Sequence, residues 1–387
     1  MTETYGFDDP GGQAVMVLDH PRTSAYAEAI WQGVNEDDVV LDVGSGSGVL
    51  ALLAAQAGAK RVYAVERSSM ATVLRENVKA NGLEGRVEVI ERSLEDIEPG
   101  SLAEPATVIL SETLGHFAPD EHGHRLYQMA KRLAVARPRL IPGSYRVRLT
   151  IAHLRSLTDE LARLEDCHGI RLSALADRLR SRPVMLDVPV EDLLATEAAT
   201  GPHTFLEPRP EIYEATCEAT ADGVANAIVA SFDVELVPGV TLSTGPTAEP
   251  THWHQIAFPM FPELPVRAGE PVRLRIRPRL VTDRGTWLWS AESGGQVRGG
   301  DAMKALTATT MTELAQQLGL RLAGPPALVA NRRLRAFAAI LAGGADASDV
   351  DGLSHKLMRA MPEDFPHLVD ARDEVLALLR AADCRLE

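Results

Sequence analysis

The amino-acid sequence predicts an α/β fold: a doubly wound parallel sheet, then an antiparallel β-barrel or sandwich with a helical arm, then a small helical module. Three patterns carry this expectation. Apolar runs at Val39–Val43, Arg61–Val65, Val87–Ile90 and Val108–Leu110 alternate with helical segments at Gly48–Gly58, Met70–Asn81 and Arg125–Val135. That alternation builds a parallel sheet with helices on its faces. At Ile141-Pro142-Gly143 the pattern changes to period-two strands at Tyr145–Ile151, Ala227–Val237 and Val272–Val281. A helical insertion, Thr158–Arg182, interrupts them, with Leu161, Leu164, Leu175 and Leu179 at helical spacing. From residue 301 the spacing is helical again, at Met311–Leu318, Asn331–Leu341, Ser354–Met361 and Ala371–Asp383. Before the first strand, irregular chain leads into a helix opened by Pro21 and running through Ala25, Ala29 and Trp31.

Composition narrows the function classes. The chain has 387 residues, 45% hydrophobic and 24% charged, with a mean hydropathy of −0.06; two or three globular domains are expected. No run of about 18 apolar residues is present, so no membrane span is expected. Residues 1–12 lack the basic and apolar regions of a secretory signal. The cysteines Cys167, Cys217 and Cys384 are far apart, which fits reduced thiols in a cytoplasmic protein. A net charge of −15 argues against nucleic-acid binding and suits a cationic substrate. No metal-ligand spacing is present, and no metal is expected.

The first strand runs into a glycine-rich turn, Val39-Val-Leu-Asp-Val-Gly-Ser-Gly-Ser-Gly48. Gly44, Gly46 and Gly48 let backbone approach a ligand closely ahead of a helix N-terminus. The spacing is GxGxG rather than the GxGxxG of dinucleotide binders, so a nucleoside with a zwitterionic tail fits better than a pyrophosphate. Asp42 can hold the amino group of that tail. The second strand ends in Glu66, at the carboxyl edge of the sheet, where a carboxylate can accept two ribose hydroxyls. After the third strand, Leu94 and Glu95 offer an acceptor for an adenine amino group. In this order the elements resemble the class I S-adenosylmethionine-dependent methyltransferases.

After the fourth strand comes Ser111-Glu-Thr-Leu-Gly-His-Phe-Ala-Pro-Asp-Glu121. Gly115 and Pro119 can turn this loop so that Glu112 and Glu121 share one site. Two carboxylates can grip a guanidinium, localise its charge on one nitrogen and free the other to attack an electrophile. By spacing alone, two solvated acids on a loop explain the pair better; the loop around His252 shifts that balance. Pro250-Thr-His-Trp-His-Gln255 offers Trp253 as the wall and His252 as the polar anchor of a substrate groove. Near the N-terminus, Met16, Asp19, Arg22 and Thr23 precede the Pro21 helix or open it; Arg22 can pair with a cofactor carboxylate and Asp19 can orient His252. A structural histidine and a core methionine are the bland alternatives for His252 and Met16.

On these residues the chain resembles the protein arginine methyltransferases over roughly residues 1–300, and its composition, rich in Ala, Arg and Leu, reads as a bacterial-type member. Leu41–Gly48, Glu66 and Leu94–Glu95 match the family's cofactor motifs, Glu112 and Glu121 its double-glutamate loop, and Thr251-His252-Trp253 its threonine-histidine-tryptophan loop. The resemblance implies S-adenosyl-L-methionine as cofactor, Met16 and Arg22 in a cofactor lid, Asp19 with His252 as an acid–histidine pair, and Thr251, Trp253 and Met16 toward the substrate. It implies three regions: residues 1–37 as lid helices, 38–142 as a Rossmann-like cofactor domain, and 143–300 as a β-barrel substrate domain with a dimerisation arm at 155–182; residues 301–387 lie outside it and their helical spacing reads as an extra helical module. It further implies a homodimer. Departures are Thr113-Leu114 where the family has Trp-Met, a shortened aromatic segment with only Tyr5 and Phe7, and Gly123 in place of a bulkier residue that shapes the pocket beside Met16.

The expected reaction is N-methylation of an arginine guanidinium in a peptide or protein. Free L-arginine or a guanidino metabolite is the alternative substrate. Methylation of another nucleophile, or an inactive scaffold, are the remaining readings. Residues 301–387 read as a helical cap or as a winged-helix-like module that holds a peptide near the acids.

Overall fold

The computed structural model describes residues 8–118, 123–279 and 286–301, together with 340, 350–361, 371 and 375. The chain divides into two compact units that interleave along the sequence. One comprises Met1–Thr150, Met185–Pro210 and Val229–Ala257; the other comprises Ile151–Val184, Glu211–Ile228 and Phe258–Glu387.

The first unit opens with α1 (Pro10–Leu18) and α2 (His20–Gly33), followed by β1 (Val39–Val43), α3 (Val49–Gln56), β2 (Arg61–Val65), α4 (Met70–Ala80), β3 (Val87–Ile90), β4 (Ala106–Ser111), α5 (Gly123–Lys131) and β5 (Ala134–Ile141). The strands form one parallel sheet in the order β3-β2-β1-β4-β5. Every residue of central β1 is buried, as expected of a strand covered on both faces.

Three sequence expectations change in the structure. The N-terminal chain is helical from Pro10, not irregular up to Pro21. The Asp9 carboxylate accepts the Gly11 and Gly12 N–H at 2.8 and 3.3 Å, and proline at the first helical position needs no partner for an N–H. The helix expected over Arg125–Val135 ends at Lys131, and Ala134–Ile141 is strand β5, parallel to β4. Pro138 between Arg137 and Arg139 hides the apolar alternation, and an edge strand is where proline is tolerated. The arm is two helices rather than one, α6 (Arg155–Glu165) and α7 (Ser173–Leu179). Between them Cys167 and Ile170 exchange two backbone hydrogen bonds across a turn with His168 and Gly169 at positive φ.

Beyond β5, β6 (Ser144–Ala152), β7 (Val184–Leu186), β8 (Ala198–Ala199), β10 (Gly223–Val237), β11 (Val240–Ser243) and β12 (Gln255–Val266) form a sheet in the order β7-β12-β10-β6-β8. In it β11 runs antiparallel to β10, and β8 antiparallel to β6. In the second unit, β9 (Tyr213–Glu218), β13 (Pro271–Arg279), β14 (Thr286–Ser293) and β15 (Gln296–Asp301) lie in the order β15-β14-β13-β9, each antiparallel to its neighbour. Val272, Leu274, Ile276, Trp287, Trp289 and Ala291 form the buried face of this sheet, and the Trp289 indole N–H donates to the Pro259 carbonyl at 2.6 Å. The helix expected at Ser354–Met361 is α8 (Val350–Ala360), with Leu353 and Leu357 buried. The helices expected at Met311–Leu318, Asn331–Leu341 and Ala371–Asp383 lie outside the described residues or touch them at single positions. Among the described residues no helix is long and apolar enough to cross a membrane.

The arm starts on one buried amide. Asn226 of β10 is fully buried; its side-chain oxygen accepts the Leu154 N–H at 2.8 Å, and its amide donates to the Leu154 carbonyl and the Thr158 hydroxyl at 3.0 and 3.1 Å. The first of these bonds satisfies the Leu154 N–H, one of the donors left open at the N-terminus of α6, where Leu154 supplies no side-chain cap. Asn226→Ala leaves that buried N–H unpaired, and a chemical-denaturation midpoint is expected to report a loss of about 1–3 kcal/mol.

Candidate functional site

Parallel pairing places the ends of β1, β2 and β4 side by side, with Asp42 opposite Ala64 and Leu110. The glycine turn leaves β1 from there. Gly44 and Ser45 donate to the Val65 carbonyl, both at 3.0 Å. Gly44, Gly46 and Gly48 have φ of 71°, 53° and 91°, a region that side chains disfavour. At Gly48 a Cβ would lie 2.1 Å from the Leu74 side chain, so the close approach of α4 also requires glycine.

The Glu66 carboxylate accepts the Gly46 N–H at 2.9 Å and the Ser68 N–H at 2.7 Å, which fixes it beside the turn. Asp42 is 1% exposed, and its Oδ2 has no hydrogen-bond partner. Burial raises its pKa to about 7, and neighbouring Glu66 adds to the rise, against the Ser45 hydrogen bond and the Arg22 charge. A buried carboxylate oxygen left without a donor is a site for a cationic ligand. Leu94 is buried on a short 3-10 turn, and Glu95 is half-exposed and pairs with Arg125 at 3.4 Å.

One cofactor-side residue escaped the sequence reading. Gln13 of α1 accepts the Ser47 N–H at 2.9 Å, and its side-chain oxygen lies 2.4 Å from where a Cβ on Gly46 would stand. With the N-terminus taken as irregular, nothing placed Gln13 against the turn. The signal was the Asp9-Pro10 helix start, which puts Gln13 and Met16 one turn apart.

The substrate-side residues meet through the start of α2. Arg22, the third residue of that helix, donates from Nε and Nη2 to Glu112 Oε2 at 2.9 and 2.6 Å. Both side chains are 6% exposed. Burial opposes the Arg22 charge, but Glu112 outweighs it and holds the guanidinium pKa above its ordinary value. Arg22 Nη1 donates to the Met16 carbonyl at 3.2 Å, and Met16 itself is half-buried. Arg22, expected to face a cofactor carboxylate, pairs with Glu112 here.

Asp19 caps α2 by accepting the Arg22 N–H at 3.1 Å, and its other oxygen accepts the His252 backbone N–H at 2.8 Å and the His252 ring Nδ1–H at 2.6 Å. Burial pushes the Asp19 carboxyl up, yet these three bonds and the imidazole hold it below the usual range. Because Nδ1 donates, the neutral ring carries its lone pair on Nε2. The expected Asp19–His252 pair is thus present.

Trp253 departs from its expected role as an open wall. It is 2% exposed, packs edge-on against Phe232 at 5.4 Å and lies 4.3 Å from the His252 ring, so it anchors the loop from within. Thr251 is buried, with no partner for its hydroxyl. Glu121 lies outside the described residues, as do Tyr5 and Phe7. Gly123, two residues after Glu121, shows what fills the room a larger side chain would take. A Cβ there would lie 3.1 Å from both the Phe205 ring and the Thr113 carbonyl. Phe205 is fully buried and stacks on Tyr127 at 4.9 Å.

The chain has counterparts among known proteins. Residues 11–121 match the model of the ribosomal protein L11 methyltransferase (PrmA) family, and residues 148–284 match the arginine methyltransferase oligomerization subdomain. Protein arginine N-methyltransferase 1 of Caenorhabditis elegans is 30% identical over 283 residues, 66% of this chain and 77% of that protein. Histone-arginine methyltransferase CARMER of Aedes aegypti is 28% identical over 67% of this chain and 46% of its own length; the chain spans just under half of such relatives. Among solved structures, the Trypanosoma brucei PRMT1 enzyme-prozyme heterotetrameric complex with AdoHcy aligns with TM-score 0.69 at 27% identity, over 76% of this chain and 98% of that one. Arabidopsis thaliana protein arginine methyltransferase 10 shares the fold, with TM-score 0.65 at 24% identity, over 76% and 99%. The bacterial type read from composition is not borne out, since these curated relatives come from a nematode and a mosquito.

Proposed function

The chain belongs to the protein arginine methyltransferase family, and from that premise we propose that it methylates a guanidinium nitrogen of arginine in a peptide or protein, with S-adenosylmethionine as donor. The observation that carries this reading is the Arg22–Glu112 pair: a carboxylate 6% exposed already holds a guanidinium through two N–H groups at 2.6 and 2.9 Å. Arg22 takes Oε2 alone and fixes the carboxylate in place, which leaves Oε1 for the guanidinium of a substrate.

The residues present fit the donor. The partnerless oxygen of Asp42 suits its ammonium, Glu66 its ribose, and the turn from Gly44 to Gly48 its close approach. Bound there, the donor supplies an electrophilic methyl on a sulfonium. Glu112, with Glu121 as the second acid, draws the guanidinium charge onto one nitrogen and leaves the other with a usable lone pair. Desolvation strengthens that grip. As the nitrogen–carbon bond forms and the carbon–sulfur bond breaks, the nitrogen sheds a proton. A carboxylate of the pair, or His252 through its Nε2 lone pair, can accept it.

Two copies assemble through the arm, a reading supported by exposed Ile170, Leu172 and Leu175 on it and by the oligomerization subdomain matched there. The antiparallel strands after residue 143 serve as the family's β-barrel. The reaction is cytoplasmic, in keeping with the free thiols Cys167 and Cys217. The deciding experiment incubates the purified chain with labelled S-adenosylmethionine and either an arginine-peptide library or free L-arginine, with its mass taken by light scattering. Label on peptide arginine from a species of twice the chain mass is expected. Label only on free arginine would overturn the substrate class, and none on either would overturn the reading.

A further inference from the structure

Three segments of the site are tied to one another in a closed circuit. The start of α2 holds the acid loop through Arg22 and Glu112, and the tryptophan loop through Asp19 and His252. The third tie runs directly between the two loops: His116 Nδ1 lies 3.2 Å from the Trp253 carbonyl. A carbonyl only accepts, so Nδ1 carries the proton in this contact whether or not the ring is charged. Around it Leu114, Phe117, Ala118 and Trp253 are all buried, while His116 is half-exposed. Its ring is a direct polar link between the acid loop and the tryptophan loop. His116 stands four residues after Glu112, and Trp253 adjoins His252.

We propose that His116 is a positioning residue for methyl transfer, its Nδ1–H fixing the loop that carries Glu112 against the loop that carries His252. The inference rests on the methyltransferase reading above. Glu112 and His252 are each anchored to α2 through one side chain, so losing the third tie leaves both anchors in place but no longer joins the two loop backbones that aim them. A misplacement of about 1 Å in an aligned site costs on the order of 100-fold in rate. The cofactor turn lies on other segments and does not depend on this link.

The test is His116→Ala and His116→Asn in the full chain, read by kcat with an arginine peptide and by Kd for S-adenosylhomocysteine. Asparagine places an amide N–H where Nδ1 stands. Alanine is expected to lower kcat about 10- to 100-fold with the Kd unchanged within about twofold, and asparagine to stay within about threefold of the parent. Alanine at full kcat would overturn the inference, as would asparagine as slow as alanine, or a Kd that weakens in step with kcat. If alanine does not fold, His116→Gln, whose amide reaches toward Nε2, replaces it and is expected to be at least about tenfold slower than asparagine; equal rates would overturn the inference. A parent enzyme that methylates no arginine would instead refute the reading on which it rests, while leaving the His116 tie measurable by stability.

Discussion

Glu112→Gln is expected to lower kcat for arginine about 100- to 1,000-fold and, in the same variant, to destabilise the folded chain by about 3 kcal/mol. The two effects have different origins. Glutamine keeps the shape and one acceptor but not the charge, so it no longer localises the positive charge of the guanidinium, and the attacking nitrogen stays a poor nucleophile. The stability loss comes from Arg22, whose 6%-exposed side chain is left as a buried cation without its paired carboxylate, with Asp19 as the remaining nearby negative charge. Single-turnover rates with the donor saturating measure the first, and urea unfolding the second. Adding Arg22→Met should recover most of the stability and none of the rate. A single variant with unchanged rate would exclude Glu112 from handling the guanidinium; one with unchanged stability would show that the pair is offset by its desolvation.

Asp42→Asn is expected to weaken S-adenosylmethionine binding about 100-fold, the loss of a charge-assisted bond of roughly 2–3 kcal/mol, while stabilising the ligand-free chain above neutral pH. Asp42 has a folded pKa of about 7 against an ordinary 3.8, raised chiefly by burial. Folding therefore takes up a proton between those values, and the Asp42 contribution to stability is fully present below about pH 4 and is lost as pH rises to 7. The full span is about 4 kcal/mol at 1.36 kcal/mol per pH unit. A bound ammonium reverses this by favouring the carboxylate, so binding should release up to one proton near pH 6. Calorimetric titration in two buffers of different ionisation heat checks it. Proton release equal in the parent and Asp42→Asn would place the titrating group elsewhere.

Much of the cofactor side is legible in sequence because its chemistry is local. Asp42, the glycines and Glu66 each sit where a strand ends, and strand ends follow from apolar runs alone. The contacts that escaped are those made between distant segments. Gln13 meets Ser47 across 34 positions and His116 meets Trp253 across 137, and no periodicity encodes either. The Arg22–Glu112 contact spans 90 positions and only the fold shows it. Strand β5 was missed because three of its eight residues are Arg137, Pro138 and Arg139, which carry a helix-breaking signal but no strand alternation. Trp253 was read as a wall because an adjacent histidine and tryptophan suit one; the fold instead turns the indole inward against Phe232.

Phe205 also governs the order in which this sequence can change over generations. Any side chain acquired at Gly123 would meet the Phe205 ring at 3.1 Å, in a cluster with no room to yield because Phe205 is fully buried on Tyr127. Position 205 must shrink before position 123 can grow, and the reverse order passes through an overpacked intermediate that costs about 1–3 kcal/mol. The Thr113 carbonyl, also 3.1 Å from that Cβ, adds to the crowding. Two substitutions that are compatible as a pair are thus reached at less cost along one path than along the other.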